Sequence, residues 1–300
     1  MMANVLQIND LQVCHDNETF LDVPDIKVRK GRSVAILGGN GAGKTTLLET
    51  ILGLKKHSLG SILWAEPKEN WGIQLQNSAY NKDYKVCEII RLHGKLYQRT
   101  CPKMFVDFAI SSLMHKKLGV LSRGEKQRVD LYLAMAHLPK ILVLDEPGTG
   151  LDKTYYHAMV QHINQLRMDK ECTIVMASHS SFELSLATDI VWMENGKIKK
   201  YLPKDEFIER YLGQRKVVMK FHDPSDLDEA VKIVNKAEPL LLIQNNATEL
   251  LLYGSVAMAK VALEYSLEKN LACFVVSDIE DSDIFEFICS NRDKVIQGDL

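Results

Sequence analysis

Short apolar runs and amphipathic stretches alternate along the first two thirds of the chain. Residues 34–37, 141–144 and 173–177 are unbroken apolar runs, which are typical of strands buried inside a parallel sheet. Apolar positions between residues 156 and 166 recur at helical spacing. Residues 5–13 alternate apolar and polar positions, which predicts a half-buried strand. Together these patterns predict an α/β fold built on a parallel core sheet.

A helical insertion interrupts the alternation. Two amphipathic helix patterns, with little strand signal, fill residues 77–118. Ser122 and Glu125 then form a capping box that opens another helix, which we expect to run to about His137. The sequence therefore predicts a helical subdomain over about residues 77–138.

The pattern changes again near Gly213. From there the signals follow the order strand, helix, two strands joined across Asn245 and Asn246, helix, strand. This is the order of a split βαβ unit. We therefore predict two domains, an α/β domain at residues 1–212 and a small α+β domain at residues 213–300.

Composition limits the class of function more than it identifies one. The 300 residues carry a net charge of −2 and are 46% hydrophobic, which is typical of a soluble globular protein and gives no indication of a nucleic-acid partner. Six scattered cysteines without a C-x-x-C pair favour reduced thiols. No signal peptide is evident, and no apolar run approaches the roughly 20 residues that cross a bilayer. Action at a membrane would therefore require a separate spanning partner.

One glycine-rich segment carries the clearest chemical indication. It matches the phosphate-binding pattern G-x-x-x-x-G-K-[ST], follows a predicted strand and opens a predicted helix. Glycines let successive N–H groups point at phosphates, and the helix adds the positive end of its dipole. Lys44 is placed to reach the β- and γ-phosphates, and the Thr45 hydroxyl to ligate Mg²⁺. A plain glycine-rich turn is the alternative. The predicted nucleotide-binding residues are Gly38, Gly39, Asn40, Gly41, Ala42, Gly43, Lys44, Thr45 and Thr46.

Two further groups of polar residues follow predicted parallel strands. Asp145 and Glu146 end one strand, and His179 follows the next. Ligands of open α/β sheets bind at this carboxyl edge. Asp145 is suited to hold Mg²⁺, Glu146 to polarise a water that attacks the γ-phosphate, and His179 to orient that water. Taken singly, the acidic pair could cap a helix and the histidine could be an ordinary loop residue. Their joint occurrence favours a nucleotide-hydrolysing site.

In this combination the motifs resemble those of the ATP-binding-cassette (ABC) ATPases, over roughly residues 2–212. The resemblance implies a P-loop cassette with a mostly parallel core sheet, an N-terminal antiparallel β subdomain and a helical subdomain, followed here by the small α+β domain. It also implies ATP as substrate and Mg²⁺ held by Thr45, Gln76 and Asp145. Glu146, His179 and Lys44 would be the catalytic residues.

The resemblance implies further nucleotide contacts away from the phosphate-binding loop. The family's signature motif corresponds to residues 121–125, where Ser122 and Gly124 would contact the γ-phosphate of ATP held by a second subunit. Asp152 corresponds to the D-loop. The signature departs from the common Leu-Ser-Gly-Gly-Gln at Arg123 and Glu125. The favoured interpretation is that both positions tolerate variation while the capping box is kept. The alternative is that Glu125 adds a negative charge near ATP, which Arg123 is in a position to offset.

The adenine-stacking position is the second departure. Family members usually place an aromatic residue there, and the register gives His15, with Phe20 as the less favoured substitute. An imidazole stacks less well than a tyrosine ring, so the sequence predicts weaker adenine binding.

The resemblance implies an ATPase that powers a membrane transporter through a separate transmembrane permease and a second ABC ATPase subunit, identical or not. We expect it at the cytoplasmic face of the cell membrane. A cassette followed by a small α/β domain is most similar to ABC-2 type exporters of drugs, bacteriocins and sodium, so we predict an exporter. An importer ATPase with a regulatory C-terminal domain, or a soluble non-transport ABC ATPase such as an assembly scaffold, remains the alternative.

Overall fold

The protein folds into two compact units. They comprise Met1–Tyr201 and Leu202–Leu300. The division falls earlier than the boundary after residue 212 that the sequence pattern indicates. The computed structural model describes residues 3–15, 18–76, 80–269, 271–289 and 295–296.

The first unit is organised on one mixed sheet. The strands follow the spatial order β3-β1-β2-β10-β9-β4-β8-β7-β6, with β5 paired to β1. The pairs β4–β8, β4–β9, β7–β8 and β6–β7 are parallel, whereas β1 pairs antiparallel with β2, β3 and β5. The predicted parallel core and N-terminal antiparallel part are thus confirmed. The strands are β1 (Asn4–His15), β2 (Glu18–Val23), β3 (Ile26–Arg29), β4 (Ser33–Leu37), β5 (Leu59–Trp64), β6 (Trp71–Gln74), β7 (Ile141–Asp145), β8 (Thr173–Ala177), β9 (Asp189–Glu194) and β10 (Lys197–Pro203).

Among the residues of this unit that the structure describes, six α-helices accompany the sheet. They are α1 (Lys44–Ile51), α2 (Val86–Tyr97), α3 (Pro102–Asp107), α4 (Arg123–Met135), α5 (Lys153–Lys170) and α6 (Ser181–Leu184). Single 3₁₀ turns lie at Lys68–Asn70, Ile110–Leu113 and Leu118–Val120. The second of the two helix patterns predicted within residues 77–118 spans about residues 105–113. This helix is broken, because Ala109 adopts a left-handed φ of 49° and separates α3 from a 3₁₀ turn.

The core of the first unit lies on both faces of the sheet. Alternate residues of β7 face opposite sides, so that Ile141 and Val143 join one buried cluster and Leu142 and Leu144 join the other. Helix α1 contributes to the first cluster, and helices α4 and α5 contribute to the second. All five residues of β7 are buried, which explains why this strand reads as an unbroken apolar run that ends in Asp145.

The second unit is an antiparallel sheet with the order β14-β11-β13-β12-β15. Helices α8 and α9 pack against one face through residues that include Val217 and Leu252. The chain order confirms the predicted split βαβ pattern. Helix α7 also belongs to this unit, since Phe207 lies 5.9 Å from Phe287 between ring centroids. The elements are α7 (Lys204–Tyr211), β11 (Arg215–Lys220), α8 (Pro224–Asn235), β12 (Leu241–Asn246), β13 (Glu249–Gly254), α9 (Val256–Glu268), β14 (Cys273–Ser277), α10 (Asp281–Cys289) and β15 (Val295–Ile296).

Helix length and hydropathy bear on membrane contact. In the described part of the chain, we find no helix with the length and apolar character needed to traverse a bilayer.

Candidate nucleotide-binding and hydrolysis site

The parallel register of the core sheet brings the predicted functional groups to one edge. Ile36 of β4 pairs with Ala177 of β8, and Ala177 pairs in turn with Asp145 of β7. The segments that follow these three strands therefore leave the sheet side by side. They carry the glycine-rich loop, the acidic pair and His179, as the sequence indicated.

The glycine-rich loop runs directly from β4 into α1. Gly41 and Gly43 have φ angles of 77° and 100°, a region that side-chain-bearing residues rarely adopt. Gly38 is equally constrained, because a Cβ there would lie 2.3 Å from the backbone oxygen of Met193. No side chain caps α1 at Gly43, which is how a helix N-terminus that binds phosphate is built.

Lys44 is buried and closes the loop on itself. Its Nζ donates hydrogen bonds to the carbonyl oxygens of Gly38 at 2.8 Å and Gly39 at 3.1 Å. Asn40 and Gly41 form the exposed tip, whereas Ala42 is buried in the core. The ammonium group is thus held inside the curve of the loop, where successive N–H groups favour an anion.

Thr45 and Asp145 form the part of the site that fits Mg²⁺. The Thr45 hydroxyl donates a hydrogen bond of 2.9 Å to Asp145 Oδ2. Asp145 is only 1% exposed, and its Oδ1 has no hydrogen-bond partner among the described residues. Burial raises the pKa of Asp145, and the Thr45 hydroxyl opposes that shift. An unpartnered carboxylate oxygen beside a hydroxyl matches the oxygen ligands that Mg²⁺ prefers.

Two glutamines lie near the end of β6, and they differ in position. Gln76, the ligand implied by the family resemblance, is exposed and lies in the loop two residues beyond the strand. Gln74 is buried, and its Nε2 donates a 3.2 Å hydrogen bond to the Asp145 carbonyl oxygen. Its Oε1 has no partner among the described residues. Sequence reasoning missed Gln74, although a glutamine ending an otherwise apolar strand was a readable signal.

Glu146 and His179 contact each other directly. Glu146 Oε1 lies 2.9 Å from His179 Nε2. Glu146 has a φ of 51°, and its N–H donates to the Ala177 carbonyl oxygen at 3.0 Å. Left-handed backbone at a non-glycine residue is a strained arrangement that concentrates at functional sites. Burial and the Lys44 ammonium lower the pKa of His179, whereas the Glu146 carboxylate opposes that shift. A neutral imidazole donating Nε2–H to the carboxylate satisfies both groups.

The signature segment lies at the start of α4. Ser122 caps the helix, and its Oγ accepts a 3.3 Å hydrogen bond from the Glu125 N–H, while Glu125 Oε2 accepts from the Ser122 N–H at 3.0 Å. The predicted capping box is thereby confirmed. Lys116 Nζ lies 2.7 Å from Glu125 Oε1 and lowers the pKa of that carboxyl. The charge of Glu125 is therefore offset by Lys116, whereas the side chain of Arg123 lies over Gly150.

The D-loop and the adenine position complete the predicted residues. Asp152 is the N-cap of α5 and accepts a 3.1 Å hydrogen bond from the Tyr155 N–H. Gly124 packs tightly, since a Cβ there would lie 2.6 Å from the Gly150 oxygen. His15 ends β1, and its side chain lies outside the part of the chain that the structure describes.

This edge of the sheet defines a P-loop nucleotide hydrolase. The ABC transporter family model matches residues 21–149. The zinc import ATP-binding protein ZnuC of Marinobacter nauticus is 33% identical over 194 residues, which cover 64% of this chain and 74% of that protein. The chain belongs to the ABC transporter family, as an ATP-binding subunit and an ATPase.

Other relatives and solved structures agree with this assignment. The spermidine/putrescine import ATP-binding protein PotA of Mycoplasma capricolum is 26% identical over 243 residues, covering 73% of this chain and 69% of PotA. A solved ATP-binding subunit of an ABC transporter superposes with a TM-score of 0.62 at 21% identity, covering 69% of this chain and 93% of that one. At that identity the structural likeness supports the fold alone.

Proposed function

We propose that this ATPase powers the import of a solute through a separate membrane permease. The observation that carries its ATPase part is the meeting, at one sheet edge, of the Thr45–Asp145 pair and the Glu146–His179 pair. The first pair joins the start of α1 to the end of β7, and the second joins the segments that follow β7 and β8, so the groups for binding and for hydrolysis lie side by side.

The residues divide the work between binding and chemistry. The loop N–H groups and Lys44 bind the phosphates, which places the γ-phosphate beside Glu146. Thr45 and Asp145 would hold Mg²⁺, which neutralises phosphate charge when bound. Glu146 accepts the proton of the attacking water, and the His179 Nε2–H holds the carboxylate in position. Gln76 is proposed as a further ligand of the ion, as the family resemblance implies.

A second ATPase subunit completes the site. The signature residues Ser122 and Gly124 lie at the start of α4, whereas the phosphate loop joins β4 to α1. The family resemblance implies that these two segments act on ATP from different subunits. We therefore propose that two subunits pair head to tail, each presenting its signature to the ATP held by the other. Asp152, at the start of α5, would lie in the same interface.

A groove beside the helical part is suited to receive the permease. It has a volume of about 340 Å³ and lies between β6, α2 and α4. Apolar side chains stand exposed along it, which is unusual for a surface that stays in water. A short amphipathic helix of a membrane protein fits such a groove. The exposed apolar residues are Leu54, Ile73, Tyr80, Leu92 and Leu96.

The direction of transport is supported by the relatives rather than by the site. ZnuC and PotA are named as import proteins, and this favours import over the exporter that the sequence analysis predicted. Export is the second candidate because a split βαβ unit follows the cassette here. Under either direction the protein would lie at the cytoplasmic face of the membrane through its permease.

Reconstitution with the permease tests the proposal. We expect the protein to co-purify with a multi-span protein encoded by a neighbouring gene, and the pair to accumulate substrate inside right-side-out vesicles when ATP is supplied to the ATPase side. Extrusion under the same conditions would instead establish export. If the active ATPase co-purifies with no membrane protein, that result would contradict a role in transport and favour a soluble assembly scaffold.

The groove has its own test. Leu96 is 69% exposed within it, so Leu96→Glu is expected to abolish co-purification of the permease. Val106 is 72% exposed on α3 outside the groove, and Val106→Glu is the matched control. Equal loss for both variants would contradict docking in the groove.

A further inference from the structure

One buried carboxylate in the first unit is not accounted for by nucleotide binding or proton transfer. Glu183 lies on α6 and is 2% exposed. Burial raises the pKa of this carboxyl, and the Ser178 hydroxyl opposes that shift. A buried acid is costly unless its oxygens are hydrogen-bonded, so the partners of Glu183 indicate what it does.

The two oxygens of Glu183 bind two different loops. Oε1 accepts a 2.9 Å hydrogen bond from the Gly148 N–H, and Oε2 lies 2.6 Å from Ser178 Oγ. Gly148 is two residues after Glu146, and Ser178 immediately precedes His179. One side chain therefore ties the loop of the general base to the loop of the histidine.

Close packing around Gly148 fixes the position of its contact with Glu183. A Cβ at Gly148 would lie 2.7 Å from Glu183 Oε1 and 2.6 Å from Tyr156 Cε2. The backbone thus approaches the carboxylate as closely as a residue without a side chain allows. A larger residue at position 148 would displace Glu183 from its hydrogen bond with this N–H group.

We propose that Glu183 is a positioning residue for ATP hydrolysis, which holds the loops of Glu146 and His179 so that their side chains meet at 2.9 Å. The inference rests on the roles proposed above for those two residues. Glu183 touches neither nucleotide nor water in this role. Its effect is on the geometry of the pair, and misplacement of catalytic groups by about 1 Å can cost on the order of 100-fold in rate.

The experiment compares substitutions that keep or remove the two hydrogen bonds. Gln at position 183 can accept from the Gly148 N–H and donate to Ser178 Oγ, because that hydroxyl can turn to the Ser180 carbonyl oxygen 3.0 Å away. Met fills similar space without either bond. We expect Glu183→Met to lower kcat about 10- to 100-fold with KM for ATP within about twofold. Glu183→Gln is expected to keep kcat within about threefold.

Two serine variants test the same contact if Glu183→Met does not fold. Ser178→Ala removes the hydrogen bond to Glu183 together with the contacts to the Ser180 backbone, and is expected to lower kcat by about fivefold with KM unchanged. Ser185 Oγ donates to the Phe182 carbonyl oxygen at 2.8 Å in the same segment, so Ser185→Ala is the matched control with unchanged kcat. Because Ser178 is buried and Ser185 is exposed, kcat is expressed per ATP-binding molecule in each variant, since a mere loss of stability would lower that fraction rather than the rate.

Three outcomes would overturn the inference. The first is a parental kcat in folded Glu183→Met or, if that variant does not fold, in Ser178→Ala. The second is an equal loss of kcat in Glu183→Gln and Glu183→Met. The third is a rise in KM for ATP that matches the fall in kcat. A parallel Glu146→Gln sample separates this inference from the proposed function. If that sample retains turnover, the role of Glu146 is wrong whatever the Glu183 variants do.

Discussion

Replacing Glu146 by glutamine isolates the charge of the proposed general base. Gln is nearly the same size, and the backbone N–H that donates to the Ala177 oxygen at 3.0 Å is retained. The left-handed φ of 51° is as strained for Gln as for Glu. The change therefore removes a proton acceptor and weakens two contacts of the carboxylate, at 2.9 Å with His179 Nε2 and at 3.4 Å with Thr149 Oγ1.

The structure allows the cost of this change to folding stability to be compared with its cost to the rate of hydrolysis. The side chains of Glu146 and His179 are 17% and 33% exposed, so weakening the hydrogen bond from the neutral imidazole costs about 1 kcal/mol of folding stability. Loss of a positioned general base typically lowers a rate by 10²- to 10⁴-fold, which corresponds to a barrier increase of about 3–5 kcal/mol. Turnover should thus fall far more than stability does.

Phosphate release and nucleotide binding measure these effects separately. We expect Glu146→Gln to hydrolyse ATP at least about 100-fold more slowly while its affinity for ATP stays within about twofold, because Lys44 and the loop N–H groups are unchanged. ATP should therefore accumulate in the paired state, and size-exclusion chromatography should show an ATP-dependent dimer.

A matched control is available in the second unit. Glu238 is exposed and has a φ of 50°, so Glu238→Gln makes the same chemical change at a similar backbone angle. It should hydrolyse ATP like the parent. Turnover of Glu146→Gln within about threefold of the control would refute the assignment of the base, since no general-base contribution is that small.

The remaining predictions concern the loop, the signature and one buried histidine. Lys44→Ala should abolish ATP binding, because it removes the phosphate contact and two hydrogen bonds that shape the loop; unchanged affinity by fluorescent-nucleotide titration would contradict this. Lys116→Met removes the lysine that pairs with Glu125, so KM for ATP should rise a few-fold at low salt and less at high salt. A KM that does not depend on salt would argue against an electrostatic effect. Burial lowers the pKa of His137 to about 4, below the value of about 6.5 expected in the unfolded chain. The contribution of neutral His137 to the free energy of unfolding is therefore fully present above pH 6.5 and is lost as the pH falls towards 4. The loss amounts to about 2 kcal/mol at pH 5. Urea unfolding should show a loss of stability between pH 7 and pH 5 that is about 2 kcal/mol larger in the parent and in the exposed-site control His157→Gln than in His137→Gln, because His93 and His162 titrate in all three. Equal losses in all three would contradict the assignment.

Much of the fold follows from local patterns in the sequence. The run at residues 141–144 predicts a strand buried on both faces, and β7 is completely buried. The order of elements after Gly213 predicts a split βαβ unit, and the strands pair accordingly. The break at Ala109 was not predicted, because helical spacing continues through residues 105–113 while only the backbone angle interrupts the helix.

The candidate site was predictable as a set of residues and less so as a set of contacts. Thr45 and Asp145 each stand in a recognisable motif, and their hydrogen bond follows from the parallel register. The partner of Glu125 could not be inferred, because Lys116 lies in an irregular segment whose path depends on packing. Gln74 was missed because a motif-based search favoured the glutamine two residues later.

The amino-acid sequence by itself determined which residues could bind ATP and which elements carry them, because glycine conformations, apolar runs and capping residues act within a few positions of the chain. Only the tertiary structure decided which functional groups touch. The contact of Glu146 with His179, and the two hydrogen bonds of Glu183, join loops that follow different strands. Their distances depend on strand order and register, and these arise from burial of both faces of the sheet rather than from any local pattern.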